Sequence, residues 1–123
     1  MPSSGVFEIA ANAVPEHAPV CPLDLNGVLD KQTIFQSLVT TFNFPDYFGY
    51  NWDATYDCLL DSVAQADNQT DIYFSVHENS LVTEQDFLTF FQLLQDVCNH
   101  QQQKQKSIRF FIISAKLKGD ASL

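Results

Sequence analysis

Between Lys31 and Lys104 the chain contains no lysine or arginine. Residues 1–103 hold 14 of the 15 acids and only one of the 6 basic residues, and the formal net charge is −9. Such a surface repels phosphate backbones and anionic lipid and attracts basic proteins, so direct binding of nucleic acid or membrane is not expected. Cysteine is also scarce. Cys21, Cys58 and Cys98 are odd in number, form no CxxC, and join with His17, His77 and His100 in no metal-ligand spacing. They read as buried free thiols in a reducing compartment, and neither metal nor cofactor is expected. The opening MPSSGVFEIA lacks a basic region ahead of an apolar run, so a secretory leader is not expected. No stretch approaches the roughly 18 apolar residues of a membrane span. These absences predict a cytoplasmic protein. Asn68-Gln69-Thr70 fits a glycosylation sequon that only a secreted chain would use.

The 123 residues, 46% of them apolar, suffice for one domain with a core of its own. Residues 20–25 read as a first strand, which Pro22 confines to an edge or to a start near Leu23. Asn26-Gly27 supplies a turn, and Asp30 caps a helix over residues 31–42 whose Ile34, Phe35, Leu38, Val39 and Phe42 fall at helical spacing. A second helix starts at Trp52 and ends near Ala66, followed by a polar connector over residues 67–71. Residues 72–76 form a second strand and 77–82 a loop. Thr83 caps a long helix, with Asp86 completing a capping box and Phe87, Phe90, Phe91, Leu94, Val97 and Cys98 on its core face. Residues 108–113, apolar almost throughout, form a third strand of a sheet covered on both faces. The order predicts an α/β domain, a small three-stranded parallel sheet packed by about three to four helices. Residues 1–18 are an N-terminal extension with 6–9 as a candidate edge strand, 19–115 the domain and 116–123 a tail.

The most informative stretch is residues 44–61, FPDYFGYNWDATYDCLLD. Four aromatics, Phe44, Tyr47, Phe48 and Tyr50, crowd a loop with Pro45 and Gly49, and Asn51 stands at an N-cap position. Residues advance about 100° each along the helix, so Trp52, Tyr56, Leu59, Leu60 and Val63 form an apolar stripe. Asp53, Asp57 and Asp61 form an acidic stripe beside it. Like charges four apart cost a helix about 0.2–0.5 kcal/mol per pair, so helix stability does not explain them. Two plain explanations compete: Asp53 in the first turn gains from the helix dipole, and acidic stripes are often only solvated faces. Against them stands the aromatic loop, which beside unpaired acids offers a basic partner both an anchor and a charge pattern. Asp53 and Asp57 form a carboxylate pair, but no nucleophile with a neighbouring base and no glycine-rich phosphate loop accompany them, so an enzyme is not expected.

The same stretch resembles the barstar family, the small intracellular inhibitors of barnase-like ribonucleases. The match lies in Tyr47-Phe48-Gly49, Asn51, Asp53-Ala54, the aromatic Tyr56 and Asp57-Cys58-Leu59. Outside these dozen or so positions it rests on element order and length. The resemblance implies a three-stranded parallel sheet packed by helices. It also implies an antitoxin or immunity protein that occludes the active site of a cognate basic ribonuclease toxin, inhibitor to toxin at 1:1, with helix aspartates standing in for substrate phosphate. Carried over by position, Asp57 is the main phosphate mimic and Asp53 its helper. Tyr47 is an aromatic contact, Gly49 allows close backbone approach, and Asn51 shapes the loop and caps the helix. Tyr56 faces the partner whereas Trp52 packs in the core; Phe48, Tyr50, Leu60 and Asp61 complete the expected face. Asp96 is the candidate for the family's acid on the last long helix. Tyr56 replaces the usual tryptophan, Phe48 a second tyrosine and Leu60 a small polar residue. Those departures leave open a non-ribonuclease toxin met by the same face, or a regulator of a host ribonuclease.

Overall fold

Six strands and three helices follow one another along residues 5–65 and 69–114, the part of the chain that the computed structural model describes. They are β1 (Gly5–Ile9), β2 (Val20–Pro22), β3 (Val28–Leu29), α1 (Lys31–Phe42), α2 (Trp52–Ala64), β4 (Gln69–Val76), β5 (Leu81–Val82), α3 (Glu84–Gln103) and β6 (Ser107–Ser114). A single 3-10 turn, Ala11–Ala13, lies between β1 and β2. The main sheet has the order β1-β6-β4-β2, every pair parallel, and β3 pairs with β5 in a two-stranded ribbon.

Alternation along the strands divides the sheet into two unlike faces. Ile108, Phe110 and Ile112 of β6 and Phe74 of β4 point into the core, where Phe74 meets Phe90 of α3 edge-on at 5.5 Å. Cys21 of β2, in register with Phe74, reaches Ser37 of α1 on the same side. Full burial of each such phenylalanine contributes about 1.5–3 kcal/mol. On the opposite face Phe7, Phe111 and Tyr73 lie in one register row and stack, with centroids 5.5 and 4.9 Å apart. Beside them Arg109 makes a bidentate pair with Asp71, both bonds 2.7 Å.

Local signals account for the helix starts. Asp30 and Thr33 exchange bonds of 3.0 Å in a reciprocal capping box at α1. Asn43 ends that helix in the left-handed conformation, its N–H returned to Val39. Asn26 and Gly27, at φ 54° and 79°, close a two-residue turn between Leu25 and Val28.

Four expectations need correction. The main sheet has four strands, where a sheet of three was expected with 6–9 as a candidate edge strand, because β1 adds to the free edge of β6; and Leu81 and Val82, expected as loop, pair with Val28 and Leu29 in a second ribbon. β4 begins at Gln69, inside the supposed connector, since Asp71 is held across the ladder by Arg109. Helix α2 stops at Ala64. Thr83 caps α3 without a side-chain bond, and Asp86 does not complete a capping box because it is engaged elsewhere: it accepts the Lys31 N–H at 3.0 Å and ties the start of α1 to that of α3. Asn68 and the 116–123 tail lie outside the described residues.

Candidate functional site

Helix α2 is set by its own entrance. The Asn51 side chain accepts the Ala54 N–H at 2.8 Å, its carbonyl accepts the Thr55 hydroxyl at 2.8 Å, and its amide donates to Gly49 at 3.4 Å. A Cβ at Gly49 would stand 3.0 Å from that amide, so glycine keeps the loop tight against the cap. The four loop aromatics divide two and two. Phe44 and Phe48 are buried and meet edge-on, with Phe48 also against Phe35. Tyr47 stands 82% exposed and Tyr50 is exposed beside Phe48. The expectation that Phe48 meets a partner is therefore corrected: its ring, lacking the hydroxyl that would hold it at water, belongs to the core beneath the loop.

Along α2 the buried residues are Thr55, Cys58, Leu59 and Val63. Trp52 packs edge-on to Phe35 at 4.8 Å, and it, Tyr56 and Leu60 lie half-buried against the core. Leu60 lines neither of two concavities beside the helix. The larger concavity is an open groove of about 1040 Å³ between α2 and α3. Trp52, Asp53, Tyr56 and Asp57 form one wall, and α3 supplies the other, including Asp96. Among the described residues no lysine or arginine lines this groove, and His100 is the one basic residue on it. The two helices thus bring together acids 39 to 43 positions apart in sequence. Asp61, one turn beyond Asp57, turns away into a second hollow of about 560 Å³ shared with Tyr47, Cys58 and Gln65.

The acids are felt locally. Burial pushes the Cys58 thiol up, and the carboxylates of Asp61 and Asp57 push it further. Among the described residues, no group of three or more His, Cys, Asp or Glu is placed to hold a metal ion.

Against known families, the model described as barstar (barnase inhibitor) matches residues 18–113. The chain belongs to the barstar family. Barstar-family proteins are ribonuclease inhibitors rather than enzymes. No curated protein and no solved structure matches the chain. Strand β1 precedes the span matched to barstar, and among the described residues no helix is long and apolar enough to cross a membrane. The α3 wall of the groove escaped sequence reasoning apart from Asp96. Its signal was available: Gln85, Leu88, Gln92, Asp96, Asn99 and Gln103 recur at three- and four-residue spacing, with Leu88 exposed where a core residue would be buried.

Proposed function

We propose that this barstar-family chain is an immunity protein or antitoxin that occludes the active site of a basic ribonuclease toxin, one inhibitor to one enzyme. The convergence of Asp53, Asp57 and Asp96 in one groove, with no lysine or arginine among the described residues that line it, carries this reading. A ribonuclease holds its substrate phosphate with arginine, lysine and histidine, and carboxylates on a rigid helix can occupy the same ground through charge-assisted hydrogen bonds. Asp57 is the principal phosphate mimic and Asp53 and Asp96 its helpers. Tyr47, Tyr50 and Tyr56 supply apolar contact at the rim, while Gly49 and Asn51 hold the loop in shape.

The test is co-expression with the nuclease-like reading frame beside its gene, using the natural chain and an equally well-folded Asp53→Ala/Asp57→Ala variant. Rescue by the natural chain alone supports inhibition through the acidic helix. Rescue by both places the grip elsewhere, and rescue by neither moves the regulation of a host ribonuclease ahead.

A further inference from the structure

Helix α2 is flanked by concavities on two sides; the acids of the inhibitor reading lie in one, and its rim residue Tyr47 lines the other. The second, about 560 Å³, lies between the last turns of α1 and α2 and is lined by Tyr47, Asp61, Asn43, Phe44 and Gln65 among others, with no lysine, arginine or histidine among the described residues. Resting on the inhibitor reading, we infer that this hollow seats a second cationic side chain of the partner, an arginine that stacks on the Tyr47 ring and pairs with Asp61.

Four observations converge on an arginine. Tyr47 is held out to solvent while Phe44 and Phe48 pack beneath it, and its ring makes no ring contact among the described residues, so its face is open. Asp61 is exposed and forms no ion pair among the described residues. The C-terminus of α1, where helix dipoles are negative, enters the hollow at Thr41, Phe42 and Asn43, and α1 has no base in its last turn. At α2, by contrast, Lys106 already donates to the Ala64 carbonyl at 2.6 Å, so of the two helix ends it is α1 whose last turn brings no cation of its own. A planar guanidinium suits the site better than an ammonium, because it can lie on a phenol ring and offer its edge to a carboxylate at once. Asp57 and Asp61 are one helical turn apart, so a partner gripping the groove brings adjoining surface over the hollow.

The probe is arginine amide, titrated into the isotopically labelled full chain and followed by amide chemical shifts, with citrulline amide, whose side chain is isosteric but uncharged and whose α-amino charge is the same, as control. Saturating shifts at Tyr47, Asp61 and Ser62 with arginine amide alone are expected. Asp61→Asn should weaken that response about threefold, as suits an exposed pair, and Tyr47→Leu should also weaken it while both variants keep the spectrum of the folded chain. Silence at the hollow, an equal response to citrulline amide, or no effect of either substitution overturns the inference. If arginine amide shifts only the groove amides around Asp53 and Asp57, the hollow fails as a site while the inhibitor reading stands; failure of that reading shows instead in the co-expression test.

Discussion

Asp57 is exposed on α2, and among the described residues it makes no ion pair that folding could depend on. Replacement by alanine should therefore leave the urea midpoint almost unchanged while weakening nuclease binding by about 2–5 kcal/mol. Parallel calorimetric titration and unfolding curves separate the two effects, and a comparable loss of stability would make Asp57 structural. The barnase–barstar pair is itself a reference case for such losses, so the size is carried over from the family and only the separation of binding from stability follows from exposure. Asn51 should behave in the opposite way. It caps α2 and holds the Gly49 carbonyl, so Asn51→Ala should lower unfolding free energy by about 1 kcal/mol, measured by denaturant titration. Binding should fall with it only as far as the loop carrying Tyr47 loosens.

At the scale of elements, the connection after β2 is clamped to the one after β4 by a single carboxylate. Asp24 is buried, and its Oδ2 accepts from the His77 N–H at 2.9 Å, meets His77 Nδ1 at 3.0 Å and accepts from the Ser80 hydroxyl. Burial alone would raise the Asp24 carboxyl, but these bonds outweigh it and hold the group below its ordinary 3.8. The folded state then binds fewer protons there than the unfolded chain. Asp24 contributes its full stability above 3.8 and loses it as pH falls through its lower folded value. Asp24→Asn should cost about 1–3 kcal/mol at neutral pH. The gap between variant and natural chain should shrink as unfolding is measured at progressively lower pH below 3.8. A gap independent of pH would show that shape rather than charge holds the two connections.

Charge acts across the whole molecule as well as at single bonds. The chain's net charge is −9, and its acids are gathered ahead of residue 104, 14 of them against the single base Lys31, so the groove is surrounded by negative potential. Association with a basic nuclease should slow roughly tenfold or more between low and high salt, with dissociation much less affected, as stopped-flow kinetics would show. Barnase and barstar again supply the precedent for this steering. A salt-insensitive association rate would mean that Asp53, Asp57 and Asp96 act only after contact.

Much of this protein could be read in its sequence because the deciding interactions span four residues or fewer. Asp30 with Thr33, Asn51 with Ala54, the Asn26-Gly27 turn and the apolar spacing of α1 carry their instructions locally, and Pro22 marked an edge strand because it cannot donate to a ladder. The acidic stripe was equally plain, since three aspartates four apart on a helix share a side wherever that helix lies. Tertiary structure alone decided which concavity each acid faces: Asp53 and Asp57 meet Asp96 only because α3 packs beside α2, and Asp61 parts from them because the end of α1 lies on the other side. It also sent Phe48 inward and Tyr47 outward, enlisted Asp86 for α1, and paired β3 with a strand at Leu81 and Val82. Burial and pairing of this kind depend on segments tens of residues away, which no local pattern of side chains records.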